Sequence, residues 1–121
     1  MEHVVAFTSV LCMIGSRKWN DDERIRSFLQ STNGQWQCVV TGTAFGADTI
    51  VQNVCRELQI PCQTVFAKWW NEQCDHDRNT ELFDRADEII ILWDGYSAST
   101  HRAIALANEQ YPHKPKQVWY L

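Results

Sequence analysis

The hydrophobic positions of this chain fall into short, nearly continuous apolar runs, separated by stretches in which apolar residues recur every three or four positions. The first run, Phe7 to Ile14, stops at Gly15 and has the character of a strand buried on both faces. Behind it, Asn20 or Asp21 can cap a helix with an acidic first turn, Asp21-Asp22-Glu23, and an apolar stripe of Ile25, Phe28 and Leu29 that closes at Asn33-Gly34. Gln37 to Thr41 predicts a second strand ended by Gly42, and Ile50, Val51, Val54 and Leu58 recur at helical spacing after Gly46. Pro61 precedes a third strand, Cys62 to Phe66. Ala67 to Asp77 shows no clear periodicity and is expected to be a long loop, followed by a helix from about Arg78 to Ala86. The most apolar run, Glu88 to Trp93, is expected to be a central strand ending at the turn Asp94-Gly95. A last helix capped by Ser99 or Thr100 carries Ala103, Ile104 and Ala107 on one face, and Gln117 to Leu121 closes the chain as a strand.

Five strands alternating with four helices predict an α/β fold, a Rossmann-like three-layer sandwich with a mostly parallel sheet covered on both faces. At 121 residues, with no internal repeat, low-complexity tract or linker, the chain is expected to form a single domain. In such folds ligands sit outside the carboxyl ends of the strands, near the point where strand order reverses. The residues that follow the strands therefore matter most for function.

Composition narrows the function classes. Fifteen acidic residues against eleven basic ones give a net charge of −4, which disfavours broad attraction to nucleic acid or an anionic membrane. No apolar run approaches the ~20 residues of a membrane span, and the opening MEHVVAFTSVLCMIG lacks a basic leader and a small-residue cleavage site. A cytoplasmic protein is the expectation. Five cysteines with no C-x-x-C pair, three of them in hydrophobic segments, are expected to be reduced thiols. Cys74-x-His76 lacks a second pair at ligand spacing, so neither a metal nor another cofactor is expected. Trp19, Trp69, Trp70 and Trp93 each fall near a predicted loop or strand end and need not be core residues.

Four turns at the expected ligand edge carry anion-binding chemistry. Gly15-Ser16-Arg17-Lys18 is either a solvated turn or a seat for phosphate or carboxylate. Thr41-Gly42-Thr43-Ala44-Phe45-Gly46-Ala47-Asp48 has two glycines four residues apart, which let the backbone turn sharply and offer N–H groups at a helix start. It matches neither a dinucleotide fingerprint nor a P-loop. Asp48 is either an acid in the first helical turn or an acceptor for a ligand hydroxyl. Arg78-Asn79, expected at a helix start, supplies a guanidinium and an amide suited to a planar anion, or to an ion pair with Asp77 or Glu81. Ser97, Ser99 and Thr100 follow Asp94-Gly95 as a hydroxyl-rich entry to the last helix, for capping or for phosphate.

In this order, IGSR, TGTAFGAD, a tryptophan-containing loop leading to DRN, and ADEIIILWDGYSAST resemble the SLOG superfamily of Rossmann-like domains, particularly the small YspA/YpsA-related proteins of bacteria and their phages. The resemblance spans about Val10 to Ala107. It implies a nucleotide or nucleotide-derived ligand across the strand ends, held by Gly15 to Arg17, Gly42 to Asp48, Arg78-Asn79 and Ser97 to Thr100. The related lonely-guy phosphoribohydrolases carry a glutamate three residues beyond the threonine of their last loop, where this chain has Ala103. Cleavage of an N-glycosidic bond calls for a carboxylate beside the anomeric carbon, so an N-glycosidase is the alternative, with Asp48 or Asp94 supplying the charge. The DNA-processing protein A family shares the turn motifs but uses a basic groove for single-stranded DNA, which ranks third here. The leading expectation is binding without turnover, with Arg17 and Arg78 on the anion and Trp69 or Trp93 stacked on the base. A homodimer pairing around the edge strand Val118-Trp119-Tyr120 is expected as well.

Overall fold

The structure, a computed structural model, describes residues 9–68 and 70–121. Phe7 and Thr8 of the expected first strand, and Trp69, lie outside the described residues. The elements are β1 (Ser9–Gly15), α1 (Asp22–Ser31), β2 (Trp36–Thr41), α2 (Ala47–Leu58), β3 (Cys62–Thr64), α3 (Cys74–Arg85), β4 (Glu88–Trp93), α4 (Ala98–Gln110) and β5 (Lys116–Tyr120). The five strands form one sheet in the order β3-β2-β1-β4-β5, and every pairing is parallel. The fold is a Rossmann-like α/β sandwich.

Alternation along each strand sorts the core into two layers. Leu11, Met13, Val39, Ile90 and Leu92 pack on one face with Ile25 and Leu29 of α1 and Val51, Val54 and Cys55 of α2. Cys12, Ile14, Val40, Ile89 and Ile91 pack on the other with Leu82 and Phe83 of α3 and Ala103 and Ala107 of α4. The chain steps outward from β1 to β3 beneath α1 and α2, then returns to β4 on the other flank of β1 beneath α3 and α4. The loops leaving β1 and β4 therefore run to opposite faces and open a crevice between their carboxyl ends.

Local differences from the sequence expectation have identifiable causes. β3 stops at Thr64, not Phe66, because its partner β2 ends at Thr41, opposite Thr64, and turns away at Gly42. α3 starts at Cys74, four residues before Arg78. Its first turn is wholly polar and carries no apolar stripe; it is fixed instead by Asn71, whose amide donates to Asp77 Oδ2 (2.8 Å) while its side-chain oxygen accepts from Gln73 N (3.0 Å). Arg78 and Asn79 thus lie in the second turn and do not open the helix. The N-cap position of α4 is Ser97, not Ser99 or Thr100, and its hydroxyl donates to Asp94 and does not cap the helix. Trp19 is a core residue at 2% exposure, its indole N–H donating to the Asp21 carbonyl (3.0 Å), so it anchors the β1–α1 loop. The Arg24 guanidinium lies 4.7 Å from the Trp119 ring centroid and donates to the Tyr120 carbonyl (2.9 Å), which ties α1 to β5. All five cysteines are free thiols.

Candidate functional site

A cavity of about 630 Å³ opens at the carboxyl edge of the sheet, on the α3 and α4 side. Ile14 and Gly15 at the end of β1 and Ala103 of α4 line its apolar part. Arg17 and Lys18 enter from the β1–α1 loop, Thr43 and Ala44 from the β2–α2 loop and Ala67 from the segment after β3. Asp75, Arg78 and Asn79 of α3 and the stretch from Tyr96 to Thr100 complete it, with Asp94. Arg17 and Lys18 are exposed and make no ion pair or hydrogen bond with the described residues.

Beneath the cavity, two buried knots hold the loops. The first is built on Asp48, only 1% exposed in the first turn of α2. Its Oδ1 accepts from Gly15 N (3.2 Å), its Oδ2 accepts from Ala44 N (3.2 Å), and Arg78 Nη1 stands 3.6 Å from Oδ2. Burial raises the Asp48 carboxyl above its ordinary range, and the Arg78 charge and the two amides oppose the rise. The guanidinium needs Gly42 beside it: a Cβ there would overlap Arg78 Nη1 and Asp48 Oδ2. Arg78 Nε donates to Asn79 Oδ1 (2.8 Å), which fixes the orientation of both side chains. Gly46, at φ +81°, takes a conformation that suits glycine, and a Cβ on it would run into the backbone carbonyls of Ser16 and Arg17.

The second knot joins β1 to α4. The buried Ser16 hydroxyl accepts from Asp94 N (3.1 Å) and shares a hydrogen bond with Thr100 Oγ1 (3.1 Å), while Ser16 N donates to the Leu92 carbonyl (2.9 Å). Asp94 then folds its own loop, accepting from Tyr96 N (2.8 Å), Ser97 N (2.7 Å) and Ser97 Oγ (2.8 Å). Desolvation pushes the Asp94 carboxyl up, but these donors together with the Ser16 hydroxyl prevail and hold it below its ordinary value.

Of the residues singled out from the sequence, Gly15, Arg17, Thr43, Ala44, Arg78, Asn79, Ser97, Ser99 and Thr100 line the cavity. Asp94 lines it as well, and the other described candidates lie under or beside it. Thr41 is buried and donates to the Met13 carbonyl (2.6 Å), Ala47 N donates to the Ser16 carbonyl (3.1 Å), and Ser16, Gly42, Gly46 and Asp48 form the knots. The Trp93 indole donates to the Ser97 carbonyl (3.1 Å) and its ring meets those of His101 and Tyr120, at centroid distances of 5.4 and 5.8 Å, outside the cavity lining. Lys18, the second cation of the first turn, lines the cavity too, as do Asp75 and Tyr96, which were not named among the candidate site residues. Asp75 carried a signal, three residues before Arg78, that only the true start of α3 makes legible, because i and i+3 share a helix face. Both oxygens of Asp48 and of Asp94 are committed to N–H or hydroxyl donors. Among the described residues Asp75 meets only the weakly donating Cys74 thiol, 3.9 Å away.

No family model matches this sequence, and neither a curated protein nor a solved structure matches it. Among the described residues no group of histidine, cysteine, aspartate and glutamate side chains is arranged to hold a metal ion. No helix of the described residues is long and apolar enough to cross a membrane.

Proposed function

We propose that this protein binds a small, nucleotide-derived anion at the carboxyl edge of its sheet, without turnover, as the resemblance to SLOG domains suggests. The observation that carries this reading is the cavity itself. Arg17 and Lys18, without an ion pair among the described residues, and Arg78, paired with Asp48, line it beside the start of α4, which has no acidic residue in its first turn and carries Ser99 there. Free N–H groups at a helix start and neighbouring cations together favour a phosphate or carboxylate. Asp75, on the acidic first turn of α3, supplies an acceptor for sugar hydroxyls. A neutral hydroxyl is the natural partner there, since a second anion would be repelled.

The alternative, N-glycosidic cleavage, needs a carboxylate free to face an oxocarbenium-like centre. The engagement of Asp48 and Asp94 by their own donors disfavours the two carboxylates assigned to cleavage, and leaves Asp75 as the cavity carboxylate that an assay for released base tests. Calorimetric titration with a panel of nucleoside monophosphates, ADP-ribose and cyclic nucleotides tests the reading. We expect saturable binding by at least one, weakened about tenfold to a hundredfold in Arg78→Ala, since charge-assisted contacts are worth roughly 1.5–3 kcal/mol. Heat without saturation across the panel, or release of free base on incubation, would overturn it. The exposed Tyr120 and Leu121 beside the β5 edge support a homodimer. Light scattering at micromolar concentration should then give twice the 14.1 kDa chain mass, and a strict monomer contradicts it.

A further inference from the structure

Tyr96 is 91% exposed, the most exposed of the large hydrophobic side chains among the described residues, yet its backbone is held at several points. Asp94 accepts from its amide at 2.8 Å and from the next amide at 2.7 Å, the Ser97 carbonyl is bound by the Trp93 indole at 3.1 Å, and the Asp94 amide is bound by Ser16 at 3.1 Å. Gly95, at φ +88°, makes the tight turn, and a Cβ there would meet nothing within 4 Å, so the turn stands clear of the body. Among the described residues Tyr96 is the only aromatic side chain that lines the cavity, and Ala44, Ala67, Ala98 and Ala103 give that cavity flat apolar wall. Trp93, the sequence-level candidate for stacking, spends its ring on His101 and Tyr120.

We infer that Tyr96 is the specificity residue that reads a planar ring, so that the ligand class is a nucleoside phosphate and not a sugar phosphate. This rests on the binding function proposed above and extends it. The ring stacks on the base while the cations hold the phosphate, and the pinned turn sets the ring's height over the cavity without an ordering cost on binding.

Calorimetry with two probes, ribose 5-phosphate and AMP, separates the two contributions. For the native chain AMP should bind roughly tenfold or more tighter than ribose 5-phosphate, the worth of one aromatic–base stack. Tyr96→Ala should erase most of that preference while leaving ribose 5-phosphate affinity unchanged, and Tyr96→Phe should keep it. Because Tyr96 is so exposed, both variants should melt with the native protein. Equal binding of the two probes by the native chain, or an AMP preference that survives Tyr96→Ala, would overturn the assignment and leave the anion site standing. Binding of neither probe by the native chain would overturn both.

Discussion

Replacing Gly42 by alanine puts a methyl group where the Arg78 guanidinium lies against the Asp48 carboxylate. The arginine can swing away, because its colliding atoms are the far end of a flexible side chain, but doing so breaks the 3.6 Å approach to an aspartate that is 1% exposed, and Asp48 Oδ2, which the new Cβ also meets, must shift against its own amide donors. Removing one partner of a buried ion pair costs about 3–5 kcal/mol when the other charge is left uncompensated. Asp48 is not left wholly so, since Gly15 N and Ala44 N still donate to it at 3.2 Å each. A loss of about 2 kcal/mol is therefore expected, within the 1–3 kcal/mol range for an under-satisfied buried polar group. With a urea slope of about 2 kcal/mol/M, the unfolding midpoint should fall by about 1 M at unchanged slope. Nucleotide affinity should fall together with stability, by about tenfold, because the displaced guanidinium no longer faces the cavity. In an Arg78→Ala background the same substitution should cost at least ~1 kcal/mol less, as expected for contacting residues. Native-like stability and affinity in Gly42→Ala, or additive effects in the double variant, would refute the reasoning.

Three other outcomes follow from the same contacts. Gly46→Ala combines a positive φ with collision against the fixed backbone of Ser16 and Arg17, which cannot yield as a side chain can, so it should cost on the order of 3 kcal/mol or more and appear as a melting-temperature drop of many degrees. Asp94 is held below its ordinary value of 3.8, so its contribution is present above that pH and lost as pH falls through the lowered folded value; amide exchange at Tyr96 and Ser97 should accelerate over that acid window in the native chain, and Asp94→Asn should abolish the step. Asp75→Asn should weaken AMP roughly threefold to tenfold by calorimetry, the worth of a hydroxyl hydrogen bond, without weakening inorganic phosphate.

The strand and helix order was legible because the four longer strands are apolar over most of their length, and the turns around them carry glycine, proline or a capping residue. Glu88 to Trp93 reads as a central strand from its sequence, and β4 does pair on both sides. What periodicity could not reveal was any boundary set by a partner or by polar contacts. β3 ends where β2 ends, and α3 begins where Asn71 can tie down a turn with no apolar face. The candidate site divides the same way. Glycine spacing shows where the backbone turns sharply, but not what fills the space that the missing Cβ leaves. At Gly42 that space holds Arg78 and Asp48, and at Gly46 it holds the carbonyls of Ser16 and Arg17. Thr41, Ser16 and Asp48 carry polar groups that would serve a ligand equally well, and only their buried partners show that they brace the loops. Tyr96 leaves no pattern in the sequence, because an exposed aromatic residue in a hydroxyl-rich loop looks the same whether it faces a cavity or open water.

The claim on which the rest depends is that a nucleotide phosphate occupies the crevice between the starts of α3 and α4, against Arg17, Lys18 and Arg78. Titrating AMP into isotopically labelled protein and following backbone amide shifts addresses it residue by residue. The largest shifts should fall at Gly15 to Lys18, Thr43-Ala44, Asp75 to Asn79 and Tyr96 to Thr100, with α1 and the body of α2 unmoved. Saturating shifts centred on the α1 and α2 face, or none at millimolar AMP, would contradict it.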